Sequence, residues 1–489
     1  MPVPMSGDGQ LSCFSFPVHQ LKLRPPASEN TRMSVLETLA DWITTRNSEW
    51  PESCLSRASH AFSDTIACIV AGSADPVSTK VGAGVSLWGT GAATIIGTKK
   101  KAPAPWAAMV NGTAAHVLEI DDNYYPALTH ASAILVPALI ALGDEVDASG
   151  ADLLDAFIVG LELHAVLGRG VNRSHYFAGW HPTATVGCIG TAGACARLLK
   201  VDKAATVATM SLAVSMASGN KAQFGTEAKS FQCGMGASNA IVAARLGQAG
   251  VQGNPEVLED PQGFLALYGG PAPRGWEEPL KKLDNPLALE EFGLAPKRHA
   301  CCGSAHNSID CVLDLKRQHG FSAEDVESID ILVGASNKKN LRYDDPQDEF
   351  QARFSMQYNI ALALLQGKVT LSDFTADAVK RKEVRKLFSL VTLNARKFED
   401  EPKDPDQRPP HIVKIVLKDG TVLETQRVYA RGLIQDPFND AERLEKVLEC
   451  CEPVMNEGDL GELVSQLSSL RSLPSIRTLT EVLGGKTND

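Results

Sequence analysis

No run of 18 uncharged apolar residues occurs in this sequence, so it predicts no membrane-spanning helix. The longest candidate, 131–142, is too short and contains Pro137. A basic excess is also missing: Lys and Arg number 47 against 58 Asp and Glu, a formal net charge of −11. A general nucleic-acid binder needs a basic face to displace counterions, and that class is excluded. A small anionic ligand is not, because a local basic pocket fits inside an acidic protein. The eleven cysteines form no CxxC spacing, and no Cys/His set has zinc-finger spacing. Reduced thiols in a cytoplasmic setting are the simplest reading. No GxxxxGKS/T loop or GxSxG elbow appears, and no GxGxxG follows a strand, so the usual nucleotide-binding and serine-hydrolase signatures are absent. Residues 1–33 lack the apolar stretch of a secretory signal and any regular periodicity. They read as a loose arm, with a mitochondrial address as the alternative.

What is present is mostly helical. Ser34 and Glu37 fit a capping box ahead of apolar positions 35, 36, 39, 40 and 43. Helices are expected over 52–71, 104–118, 130–143, 151–169, 182–200, 203–217 and 232–250. Several are rich in Gly and Ala, which lets helix backbones approach closely. From about 293 the character changes. Residues 326–333 alternate like a strand, and 411–418 with 421–428 read as a hairpin across a two-residue Asp419-Gly420 turn. Helices are expected between them near 304–319, 355–366, 371–377 and 381–390, and in the tail at 440–451, 457–470 and 475–483. The fold class is therefore mainly α. A large all-helical domain, 34–292, is followed by a smaller α+β lid domain, 293–431, and by C-terminal helices, 432–489, that pack back on the first.

Four stretches carry chemistry. In 119–130, Glu119, Asp121 and Asp122 crowd into four positions, and His130 opens an apolar helix. Carboxylates this close repel, so one is expected to hold its proton unusually high. A histidine at a helix N-terminus is biased toward its neutral form, and the cluster suits proton exchange near neutrality. The bland alternative is an N-cap and a solvated acidic turn. In Gly179-Trp180-His181-Pro182-Thr183, Pro182 can open a helix, which places His181 beside free N–H groups. The alternative is a buried histidine satisfied by a carbonyl. Lys229 precedes a small-residue helix, as a carboxylate anchor or as a snorkelling surface residue. Residues 297–306, KRHACCGSAH, fall at the domain junction, where ligand clefts are common.

Taken together these stretches resemble the MmgE/PrpD family, over about residues 34–485. The likeness rests on AAHxxExDD with a histidine downstream (114–130), GWHPT (179–183), a TxxK segment (226–229) and KRHACCGSAH, in that order. The family includes 2-methylcitrate dehydratase, cis-aconitate decarboxylase and iminodisuccinate epimerase. The resemblance implies a helical domain and a lid with the active site in the cleft, a homodimer, no organic cofactor and no metal. By position Asp121, Asp122, His130 and His181 match its catalytic set. Lys229 and Lys297, with Cys302 and His306 of the junction motif, match substrate-binding positions. A histidine stands at the position of Cys302 in animal cis-aconitate decarboxylases, while the fungal enzyme has the ACCGxxH pattern found here. The implied function is a cofactor-independent lyase on a citrate- or aconitate-like polycarboxylate, foremost a cis-aconitate decarboxylase type. An alkylcitrate dehydratase and a non-catalytic binding relative are the alternatives. A metal-dependent hydrolase built from His130, His181 and the acidic pair is a further reading that a chelator separates. The mechanistic expectation is a clamp of Lys229, Lys297 and His181 on substrate carboxylates, with His130, poised by Asp121 or Asp122, moving a proton to or from carbon.

Overall fold

The computed structural model describes residues 33–401 and 407–485, so the expectation of a loose N-terminal arm lies outside the described residues apart from Met33. The first helix, Val35–Thr45, begins at the Ser34–Glu37 capping box read from the sequence. The helix Ala131–Val146 has no charged residue from 131 to 143 and is buried on every face through that stretch, which makes it a central core helix despite Pro137. Around it pack Ala104–Val117, Gly150–Val171, Val186–Leu198 and Glu227–Gln248. Ala104–Val117 and Glu227–Gln248 cross in near backbone contact: a Cβ added at Gly112 would lie 2.9 Å from Gly234 Cα. The small-residue faces make this approach possible, and it sets the end of one helix beside the start of the other.

The second part of the chain builds a four-stranded sheet in the order Val391–Ala395, Val326–Val333, His411–Leu417, Val422–Arg427. Its first pair is parallel, with Ile331 opposite Leu393, and the other two pairs are antiparallel. Helices Gly303–His319 and Met356–Gln366 cover it. The hairpin differs from expectation in its turn. Leu417 N–H donates to the Thr421 carbonyl at 2.9 Å, so three residues, 418–420, form the loop. Gly420 takes φ 89° and Asp419 Oδ1 accepts from Thr421 N–H at 2.9 Å, which is the geometry of a three-residue loop with glycine in the left-handed position.

Other boundaries moved for local reasons. The helix expected from 182 starts at Val186, because residues 182–185 form turns closed by Ala184 and Thr185 N–H groups on the His181 carbonyl. The helix expected from 232 starts at Glu227, which places Lys229 inside its first turn. Residues 371–373 and 388–390 are only single 3₁₀ turns. Helix Pro76–Val85 was not anticipated, although Asp75 caps it by accepting from Val77 N–H at 2.8 Å. In the tail, Asp440–Cys451 packs against Glu52–Ser73, and Gly97 N–H donates to the Leu483 carbonyl at 2.9 Å. One connected hydrophobic core runs through helices, sheet and tail. Among the described residues all ten cysteines are free thiols.

Burial also makes the fold sensitive to acid. His164 is pushed down to about 3, His175 to about 4, His306 to about 3 and His411 to about 4, in each case by burial. The folded chain keeps them neutral, while the unfolded chain takes up protons below about 6.5. Their contribution to stability is full above that pH and is lost as the pH falls toward the folded values. At pH 5 each costs about 2 kcal/mol. Asp122 and Glu162, pushed up to about 7 by burial, act in the opposite sense and offset part of the loss. The urea midpoint is therefore expected to be lower at pH 5 than at pH 7; an unchanged midpoint would mean that these histidines charge inside the fold.

Candidate active site

Helix Ala104–Val117 ends at Leu118, and Glu119 takes φ 56° to turn the chain. That turn sends Glu119 and Asp121 toward two lysines that arrive from distant segments. Lys229 Nζ pairs with Glu119 Oε1 in a short contact, and Lys297 Nζ lies 3.3 Å from Glu119 Oε2 and 3.5 Å from Asp121 Oδ1. All four groups are buried. Burial alone would raise the Glu119 carboxyl, but Lys229 and Lys297 outweigh it and hold it well below the usual range. Burial alone would lower Lys297, and Asp121 with Glu119 outweighs it and raises it. The turn thus gathers two carboxylates and two lysines into one compact buried cluster.

Asp121 also faces two histidines. His116 Nδ1 lies 2.8 Å and His130 Nδ1 2.9 Å from the same oxygen, Asp121 Oδ2. His130 Nδ1 is also 3.0 Å from the Asp122 carbonyl. Both neighbours of that nitrogen are acceptors, so it carries the proton and Nε2 holds the free lone pair. His130 stands at the N-terminus of Ala131–Val146, where its backbone N–H donates to Thr183 Oγ1 at 3.0 Å. Burial pushes it down to about 4 against the pull of Asp121.

His181 is oriented from the other side. Gln232 Nε2 donates to the Asn220 carbonyl at 3.2 Å, which turns Gln232 Oε1 toward His181 Nδ1 at 2.7 Å. His181 Nδ1 therefore donates, and its buried Nε2 has no hydrogen-bond partner among the described residues. Burial and then Lys229 push His181 well below its usual value. The His116 ring lies between the two, with centroids 4.3 Å from His130 and 6.0 Å from His181.

A cavity of about 270 Å³ joins these groups. His130, His181, Lys229 and Glu119 line it from the helical part, Lys297 and Cys302 from the segment that follows it, and Asn337, Asn340, Arg408 and His411 from the part that carries the four-stranded sheet. Cys302 is half-buried at the start of Gly303–His319, and burial raises its thiol, so it offers a neutral S–H rather than a thiolate. A larger hollow of about 730 Å³ lies at Arg298, Asp314, Arg427 and Asp436. Its arginines Arg427 and Arg431 are already paired to Asp314, Asp436 and Glu442, and apart from His299 and Arg298 it meets none of the chemical stretches of the sequence. The smaller cavity is therefore the candidate site.

Three expected site residues do not line it: Asp121, which stands behind His130, and Asp122 and His306, which face elsewhere. Asp122 turns away: Ser132 Oγ donates to Asp122 Oδ2 in a short bond and Ser132 N–H to Oδ1 at 3.3 Å, so the carboxyl holds the start of Ala131–Val146. Successive side chains of a turn point apart, and Asp121 faces the histidines. Asp122 is also the member of the acidic cluster that is raised, to about 7, by burial. His306 bonds to the Cys301 carbonyl at 3.2 Å and packs edge-on against His299, outside the cavity lining. Conversely, Glu119 lines the cavity and His116 backs Asp121, and neither was expected to have a role in the site, although Glu119 was read as part of the acidic cluster. Both stand in the AAHxxExDD stretch, which was the available signal.

His116, Asp121 and His130 offer ligand atoms within 4.8 Å of one another. The Nδ1 proton of His130 is engaged by two acceptors, and the Lys297 ammonium already supplies positive charge at Asp121. This donor set fits proton handling better than metal binding.

Comparison with known proteins places these residues in a wider group. The family model of the MmgE/PrpD N-terminal domain matches residues 37–277, and that of the MmgE/PrpD C-terminal domain matches 299–467. A cis-aconitate decarboxylase of Mus musculus is 28% identical over 401 residues, 78% of this chain and 79% of that protein. The cis-aconitate decarboxylase of Aspergillus terreus is 26% identical over 481 residues, 94% of this chain and 97% of that protein. A mitochondrial 2-methylcitrate dehydratase of Yarrowia lipolytica is 25% identical over 205 residues, 40% of this chain and 38% of that protein. No described helix is long and apolar enough to cross a membrane.

Proposed function

The chain belongs to the MmgE/PrpD family, and on that premise we propose that it is a lyase of the cis-aconitate decarboxylase type. One observation carries the reading: two buried lysines converge beside a neutral histidine that is backed by an ionised carboxylate. Lys229 spends one N–H on Glu119 and faces the cavity, so it binds a substrate carboxylate. Lys297 is held by both Glu119 and Asp121 and stabilises negative charge where it develops. His181 and Cys302 supply uncharged contacts, and 293–431 acts as the lid.

In the proposed reaction the carboxylate on the substrate's CH₂ group leaves as CO₂. The C–C electron pair forms the new alkene, and the old π pair moves toward the carboxylate at the other end. A proton from His130 Nε2 then adds to the former alkene carbon, giving itaconate. Each turnover consumes one proton from solvent. His130 is neutral at rest, and an incoming polycarboxylate raises its affinity for that proton. Asp121 stabilises the imidazolium that forms.

The resting protonation state of His130 also favours a second reading. A neutral imidazole is ready to remove a proton α to a carboxylate, as a hydro-lyase requires. Proton NMR of chelator-treated protein with cis-aconitate, citrate and 2-methylcitrate separates the two. Itaconate from cis-aconitate supports decarboxylation, and alkene signals from a citrate without CO₂ loss support dehydration. Chelator treatment is expected to leave the rate unchanged, because no step above uses a metal; a rate lost to chelator and restored by a divalent cation would return the His116–Asp121–His130 group to a metal role. The homodimer that the family resemblance implies is tested by sedimentation equilibrium, as twice 52.3 kDa.

A further inference from the structure

Asp121 must stay in register behind His130, yet the turn that carries it is not fixed by its own sequence. Glu119 occupies the left-handed region at φ 56°, which a side-chain-bearing residue adopts only when its surroundings hold it there. The carbonyls on either side of Glu119 are held by cations from remote segments. Arg353 Nε donates to the Leu118 carbonyl at 3.3 Å, and Lys446 Nζ donates to the Ile120 carbonyl at 2.8 Å. Lys446 comes from the tail helix Asp440–Cys451 and is 2% exposed. Its second partner is Asp64 Oδ1, 2.6 Å away in helix Glu52–Ser73.

A buried ion pair is poor value as a stabilising device, since an apolar pair of the same volume commonly does as well. The Asp64 contact engages one of the three N–H groups of the buried ammonium, and a second goes to the Ile120 carbonyl. The extra bond is what ties the pair to the site: it lands on the residue immediately before Asp121. Lys446 touches neither the cavity nor any group that would touch substrate. We propose that Lys446 is a positioning residue, which reaches from the C-terminal tail and fixes the Ile120 peptide so that Asp121 Oδ2 meets His130 Nδ1. The tail is then part of the catalytic apparatus, and not only a cover for the helical core.

The test removes both charges of the buried pair, so that neither ion is left unpaired. Asp64→Asn/Lys446→Met is expected to lower kcat about 10- to 100-fold, in line with the cost of about 1 Å of misplacement, with KM within about threefold of wild type. The pH dependence gives a readout that simple loss of packing would not move. Facing His130 are His116, Glu119 and Asp121 from the end of Ala104–Val117 and its turn, His181 from the turns before Val186–Leu198, and Lys297 from the junction. With Asp121 displaced, the His130 imidazolium loses its anion, and the fall of kcat with rising pH moves to lower pH. Lys446→Arg, which keeps a cationic donor, is expected to recover part of kcat. Where the Met variant does not fold, Asp64→Asn/Lys446→Gln serves: its amides can bond each other, while the glutamine is too short to hold Ile120 as well. Wild-type kcat and an unshifted pH profile in a folded double variant would overturn the proposal, even with a lowered melting temperature. The inference rests on the His130–Asp121 reading, and the two fail differently. An active His130→Ala enzyme removes the reading itself, whereas an inactive one beside an unimpaired Asp64/Lys446 double variant removes only the role of Lys446.

Discussion

His130→Ala is expected to lower kcat by about 10²–10⁴-fold while leaving a folded protein. The fold survives because Asp121 is not orphaned: His116 Nδ1 at 2.8 Å and Lys297 Nζ at 3.5 Å remain on it. What is lost is the ring whose free nitrogen serves the cavity. The sign of the pH dependence says which way the proton moves. Burial holds His130 at about 4 in the free protein, so its acid form becomes scarcer at every step above that pH. If His130 donates the proton, kcat/KM falls about tenfold per pH unit between pH 5 and 8. The fall in kcat itself is displaced upward, because bound carboxylates raise the pKa of the imidazole in the complex. If His130 instead abstracts a proton, its base form predominates above about 4 and kcat/KM is level over the same interval. Initial rates at low and saturating cis-aconitate, or at low and saturating citrate, measure both slopes. A His130→Ala enzyme with wild-type turnover would sink either assignment.

How far the sequence carried this site depends on the distance over which each feature is encoded. The helix start at Ser34 and the strand Val326–Val333 were legible because a cap and a period-two pattern are local. The edge strand Val391–Ala395 was not: it is five residues long, and it pairs in parallel with a strand that ended at Val333. The intervening residues 334–390 carry the crossover, so nothing near 391 announces its partner. The acidic cluster was visible as composition, but its division of labour was not. Glu119 is a site residue because lysines 110 and 178 positions away meet it. Asp122 is an anchor because Ser132, ten positions on, takes both of its oxygens. In the junction motif, Lys297 and Cys302 face the cavity while His306 faces His299, a split decided by how Gly303–His319 seats on the sheet. The side chains Asn337, Asn340 and His411 carry no motif and come to the cavity only through the fold.

Glu119→Gln is expected to destabilise the protein by about 3–5 kcal/mol, the cost of removing one partner from a buried ion pair. The substitution keeps size and shape, so the loss is electrostatic. Lys229, 5% exposed, would have no carboxylate within bonding reach among the described residues, and Lys297, 1% exposed, would keep only Asp121 at 3.5 Å. The uncompensated lysine then holds its proton less tightly folded than unfolded. A base depressed in this way loses stability as pH falls below its unfolded value and regains it as pH rises toward that value. The deficit of Glu119→Gln relative to wild type should therefore shrink between pH 7 and 10. Adding Lys229→Met should restore much of the stability, because the pair is then removed as a unit. Urea midpoints of the three variants across that pH range measure this, and a midpoint equal to wild type at pH 7 would mean that the lysines are not held by Glu119. The same argument reaches the ligand. A substrate carboxylate that binds Lys229 supplies the anion that glutamine lacks, so a saturating tricarboxylate should raise the melting temperature of Glu119→Gln by more than that of wild type. Equal shifts in the two proteins would place the ligand's carboxylates away from Lys229, and with them the clamp on which the proposed decarboxylation depends.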